Sequence, residues 1–219
     1  MNALTTISTA ELLQDKLTFV RRSRTNHELN SHLIEILVEA SDDHAEFPLE
    51  ALRDFSIQDL VAFLRLSHDY YLNRKLPSIE QSIYNLFRED AQADPLMRFL
   101  CAFFVDYSRV LKEHIRLEER KLFPYIEVLV SGKLANQSDL YSGFSTQVFL
   151  DSHTDVEVEL NRVRQVIAAS LKDKEIPMPF RVFIHQLEQF EADLWKHAMI
   201  EDEVLLPKVQ AYERGLGIL

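Results

Sequence analysis

Apolar residues return every three or four positions through most of this chain, and strand-type alternation is nearly absent. Over 57–88 the recurring face is Leu60, Leu64, His68, Tyr71, Leu72, Leu76, Ile79 and Ile83. Over 95–130 it is Leu100, Phe104, Tyr107, Leu111, His114 and Glu118. Over 146–172 it is Phe149, His153, Val156, Leu160, Val163 and Ile167, and over 180–212 it is Phe183, Leu187, Phe190, Leu194, His197, Glu201 and Val204. This period turns one side of a helix toward a core, so four long helices are predicted over those ranges. Ser56 with Asp59 caps the first, and Asp94–Pro95 supplies a cap and a first-turn proline for the second. Pro77 falls inside the first helix and predicts a kink there. The connections at 89–94 and 172–179 are short, whereas 131–145 is long and polar. The fold class is all-α: an up-down-up-down four-helix bundle over 57–213, preceded by an N-terminal helical extension at 1–56. In that extension Ser8 with Glu11 reads as a capping box, and Thr25 with Glu28 opens a second helix reaching about Glu39.

The apolar stripes are interrupted by the same polar residues at the same spacing. His114–Pro124 reads HIRLEERKLFP and His197–Pro207 reads HAMIEDEVLLP; in both, Glu follows His by four residues and Pro follows Glu by six. Four residues is just over one turn, so each His and its Glu share a helix face. The two seams coincide under a shift of 83 residues. His68 and His153 hold seam positions in the first and third helices, which completes an internal repeat of His68, His114, Glu118 against His153, His197, Glu201. Turn positions check this independently. The midpoint of 68 and 114 is 91 and that of 153 and 197 is 175, both inside predicted turns. In an antiparallel hairpin, residues equidistant from the turn lie at one level. A buried, unpartnered carboxylate costs several kcal/mol, and its remedies are protonation, a partner or a metal.

Six candidate ligands therefore converge: His68, His114, Glu118, His153, His197 and Glu201. Imidazole with carboxylate suits iron, manganese or zinc, and the absence of thiolates from the set argues against copper(I) and iron–sulfur clusters. Two carboxylates among four histidines suit two ions, because each Glu can bridge. Two octahedral ions offer about twelve positions. Four imidazoles and two bridging carboxylates fill about eight, and a shared oxo or hydroxo bridge fills about two more. About one position per ion remains for dioxygen, nitric oxide or peroxide. Tyr71 and Tyr107 are read as core aromatics near this level, Glu119, Asp202 and Glu157 as solvated, and His27, His32, His44 and His185 as ordinary histidines.

Composition narrows the setting. A net charge of −11 argues against nucleic acid and anionic membrane surfaces as partners. No apolar run approaches the ~18 residues of a membrane span, and the opening MNALTTISTAELLQ predicts no signal peptide. The single cysteine, Cys101, lies in a helical apolar run and predicts a buried thiol in a reducing cytoplasm. The extension at 1–56 has three open roles: covering a bundle end, pairing two chains or docking a protein partner.

The tandem H-x3-E-x5-P, carried by EERKLFP and EDEVLLP, resembles the hemerythrin-like (HHE cation-binding) family over about 57–210. The four-His, two-Glu set more closely resembles its di-iron proteins implicated in repair of iron centres under nitrosative and oxidative stress. The resemblance implies two iron ions, with His68, His114, His153 and His197 as terminal ligands and Glu118 and Glu201 as bridges. Repair-type members commonly begin with a small domain bearing a cysteine pair, and this chain has no cysteine before Cys101. In oxygen-carrying members a further histidine follows one turn after the third-helix His, where Glu157 stands here. Three functions follow: a non-haem di-iron protein that binds, senses or reduces a small oxidant, an iron donor or store for damaged centres, or a helical interaction module with a structural zinc site.

Overall fold

The computed structural model describes residues 15–16, 18–19, 30–39, 47–90, 95–133, 141, 143–152 and 178–218. Among these residues all regular structure is helical and there is no strand. We number the α-helices α1 (Ser31–Glu39), α2 (Leu49–Leu52), α3 (Ile57–Tyr70), α4 (Leu76–Asp90), α5 (Pro95–Leu117), α6 (Phe123–Val130), α7 (Thr146–Ser152), α8 (Met178–Ile200) and α9 (Leu206–Gly215). Ser56 is extended, with φ −66° and ψ 155°, and its Oγ accepts from the Asp59 amide at 3.0 Å, which starts α3 where the sequence predicts. Asn30 caps α1, its Oδ1 accepting from the His32 and Leu33 amides at 3.1 and 3.4 Å. The predicted caps at Ser8 and Thr25 lie outside the described residues, as do His153, Glu157 and the rest of the predicted third helix beyond Ser152.

Three pairs of helices are continuous through a five-residue π-turn: Tyr71–Lys75 joins α3 to α4, Glu118–Leu122 joins α5 to α6, and Glu201–Leu205 joins α8 to α9. The cause is proline. Pro77, Pro124 and Pro207 each occupy the second residue after a π-turn. Proline has no N–H to give, and its ring crowds the carbonyl four residues back. Widening the preceding turn relieves that crowding. The residue before each proline donates five back instead of four: Leu76 to Tyr71, Phe123 to Glu118 and Leu206 to Glu201. Pro77 thus produces a bulge in place of the predicted simple kink, and the same device recurs twice more.

Two apolar clusters form the core. One gathers Leu33 and Leu37 of α1, Leu52, Phe55, Leu60, Leu64, Phe123, Tyr125, Phe149, Leu205 and Val209. The other gathers Tyr70, Tyr71, Leu76, Ile79, Leu100, Phe104, Leu111, Phe183, Phe190 and Leu194. α3 passes from the first cluster to the second, whereas α5 and α8 pass from the second to the first, so α3 runs against both. The switch falls between Leu64 and Tyr70, between Ile115 and Leu122, and between Leu194 and Ile200. His68, Glu118 and His197 stand at those three switches. The polar level predicted from the sequence is therefore a layer between two greasy halves.

Two buried polar clamps tie distant parts of the chain to this frame. Glu213 of α9 is fully buried and accepts from the Tyr125 hydroxyl at 2.6 Å, from the Thr146 amide at 2.9 Å and from the Thr146 hydroxyl. It thereby caps the start of α7 from across the fold. At the opposite cluster Lys16 is buried, and its Nζ meets the Asp193 carboxylate at 3.1 Å and the Tyr71 hydroxyl at 3.3 Å. The extension thus touches both cores. Phe47, between α1 and α2, packs edge-on against Trp195 of α8, with ring centroids 6.0 Å apart.

Candidate metal centre

The centre is built from three helices at the level where the cores part. His68 lies near the end of α3, just before its π-turn; Glu118 opens the π-turn after α5; His197 lies one turn before the π-turn that Glu201 opens. All four are buried, Glu118 at 0% exposure and Glu201 at 3%. His68 Nε2 lies 3.1 Å from Glu118 Oε2 and 3.1 Å from His197 Nε2. His114 Nε2 meets the other oxygen of Glu118 at 2.9 Å, and His197 Nε2 is 3.8 Å from Glu201 Oε2. Ligand atoms on neighbouring positions round one ion, with bonds of about 2.1 Å, stand about 3 Å apart. His68 has that spacing to Glu118 and to His197, and the buried trio, with its ligand atoms all within 4.8 Å of one another, could hold a metal ion.

Of the six predicted ligands, five lie among the described residues. His68, Glu118 and His197 come together, and His114 adjoins through the second oxygen of Glu118, which lies between the histidines of α3 and α5. Glu201 adjoins through His197. The pairing of His68 with His114 at one height, expected from the turn midpoint, is visible in their shared carboxylate.

Burial sets the electrostatics. Desolvation pulls the His68 imidazole down, but hydrogen bonds to Glu118 and Glu119 outweigh it, and the group is held above the ordinary histidine value. His197 is held well below that value, first by burial and then by charge on His68, and Glu118 only partly offsets this. The two facing imidazoles are therefore unequal: one favours a proton and the other the neutral, ligand-ready form.

The expectation that Glu119 is solvated is corrected. Glu119 Oε1 accepts from His68 Nδ1 at 2.8 Å, and its other oxygen pairs with Arg65 Nε at 3.2 Å. On a regular helix the residue after a core-facing Glu points about 100° away. The π-turn brings Glu118 and Glu119 to the two nitrogens of one imidazole. The available signal was an acid after the Glu in both repeat copies, Glu119 and Asp202; Asp202 is exposed.

Tyr71 is a buried aromatic, as expected, but it also has a register the repeat reading missed. It stands six residues before Pro77, as Glu118 and Glu201 stand before their prolines. Its ring lies edge-on to His197 with centroids 5.6 Å apart, and its hydroxyl turns away to Lys16 and to the Asp193 carbonyl. Tyr107 is buried beside Phe103 and Phe190. His32 is exposed and pairs with Glu35, and His185 contacts Gln189, both away from the centre. Among the described residues, no helix is long and apolar enough to cross a membrane. No family model, curated protein or solved structure matches the chain.

Proposed function

We propose that this chain is a non-haem di-iron protein of hemerythrin type, which binds, senses or reduces a small oxidant such as dioxygen, nitric oxide or peroxide. One observation carries the proposal: His68, Glu118 and His197 form a buried imidazole–carboxylate trio of ligand spacing, with His114 and Glu201 adjoining. The donor chemistry fits a divalent first-row ion. Glu118, with one histidine on each oxygen, has the geometry of a bridging residue. In this reading His153 supplies the remaining imidazole, and the frame is the up-down-up-down bundle. Support for that frame comes from the antiparallel course of α3 against α5 and α8, and from Phe149 at the start of α7 lying in the first cluster. When bound, reduced iron would supply the electrons and the open coordination position that a diatomic requires. The chain's own part is to fix the ligands, exclude bulk water between two apolar clusters and hold His197 neutral.

A single structural zinc in a helical interaction module is the second reading, favoured by the fact that the trio alone suffices for one ion. Metal analysis after anaerobic reconstitution decides between them. About two irons per chain, with an absorption band of the oxidised protein that responds to nitric oxide, is the expected result. One tightly held zinc and no response to nitric oxide overturns the di-iron proposal in favour of the second reading.

A further inference from the structure

We propose that Glu119, anchored by Arg65, is a positioning residue that holds the His68 ring with Nδ1–H directed to its carboxylate and Nε2 facing the centre. The inference rests on the metal-binding reading and adds a residue to it. His68 Nδ1 is 2.8 Å from Glu119 Oε1, while its Nε2 faces Glu118 and His197. An ionised carboxylate can only accept, so Nδ1 carries the N–H given to Glu119, and Nε2, which faces the Glu118 carboxylate, is the nitrogen that gives up its proton when an ion enters. A ligand histidine held this way loses both its choice of nitrogen and its ring rotation. Further contacts remove what freedom remains. The His68 ring stacks on Phe123, with centroids 5.5 Å apart and planes 13° from parallel. Arg65, one turn before His68, pairs with Glu119 and Glu127 and lies over the same Phe123 ring. Glu118, Glu119 and Phe123 all come from the π-turn or its next residue, so one bulge builds both sides of the imidazole's seat. His197 lacks such a partner: its Nδ1 makes no hydrogen bond among the described residues. Of the two facing imidazoles, His68 is the pre-set one.

The test uses the full chain with cobalt(II) as probe, in wild type, E119Q, E119A and R65Q. Glutamine keeps an acceptor oxygen, whereas alanine keeps none, so E119Q serves as partial rescue. E119A is expected to bind cobalt(II) about 10–100-fold more weakly, with E119Q in between and R65Q losing less than E119A. Nitrogen-15 NMR of the imidazoles, before metal is added, should show His68 protonated on Nδ1 in wild type and E119Q and not fixed there in E119A. A role in folding alone would move neither the tautomer nor the E119Q rescue. Equal cobalt affinity in wild type and E119A, or a wild-type His68 with no proton on Nδ1, overturns the positioning role and leaves the metal reading standing. Failure of the wild-type chain to bind any cobalt removes the metal reading itself, and the positioning role with it.

Discussion

Single side chains in this molecule matter most where they are charged and dry. Glu213 is the clearest case, with three donors aimed at its carboxylate from Tyr125 and Thr146. E213Q puts an amide NH2 where an acceptor is required, and is expected to cost about 2 kcal/mol. Urea denaturation should show a lower midpoint with an unchanged slope. Nothing in the sequence marked Glu213, because its partners lie 67 and 88 residues away and a lone Glu in a terminal helix looks solvated. His68, His114, Glu118, His197 and Glu201 were legible for the opposite reason. They interrupt greasy stripes, and they do so at matching registers. Lys16 resembles Glu213 in being silent until the fold is known. Burial holds its amine below the ordinary 10.5, against the pull of Asp193. With the folded value depressed, the unfolded chain carries the extra proton between that lowered value and 10.5, so this group's contribution to stability rises with pH in that window. The advantage of wild type over K16M should therefore grow between pH 8 and pH 10, by at most about 1.4 kcal/mol per unit, in urea titrations at the two pH values. An unchanged or shrinking gap would show that Lys16 is not desolvated.

At the scale of elements, the π-turns decide what faces the centre. Each is an inserted residue in an otherwise regular helix, placed just ahead of a proline. Lys121 is exposed within the second, so its side chain is dispensable while its backbone is not. Deleting Lys121 should close that turn to an ordinary one and rotate everything upstream by about 100° relative to α6. The expected outcome is a chain of nearly unchanged helical circular dichroism that no longer binds cobalt(II). A deletion that keeps wild-type affinity would mean the bulge is irrelevant to the site. Periodicity located three of the four predicted helices to within a few residues, because the apolar stripes, the cap at Ser56 and the first-turn Pro95 are local signals. The bulges were invisible to it, since one extra residue shifts a helical wheel no more than ordinary scatter does. The proline spacing was the trace they left. Tyr71, equally far ahead of Pro77, shows that this spacing reports the turn and not the ligand.

For the whole molecule, the extension and the helices bearing the site share one core. Leu33 of α1 is buried with Phe123, Leu205 and Val209. L33A is expected to cost about 3 kcal/mol and to lower a single thermal transition. Two separate transitions, with only the lower one moved, would instead make the extension an independent unit. The sequence left the role of this stretch open among three choices, because coverage of a core is a property of the partner surface and not of α1 itself. Phe47 against Trp195 is part of that coverage, and Trp195 stands two residues before His197 on the same helix. It is the chain's only tryptophan. The molecule thus carries a built-in fluorophore at the seam of extension and centre. Its emission, excited selectively above the tyrosine band, would dim as a paramagnetic ion enters and redden as the Phe47 contact loosens, so loading and undocking can be followed in one cuvette without a label.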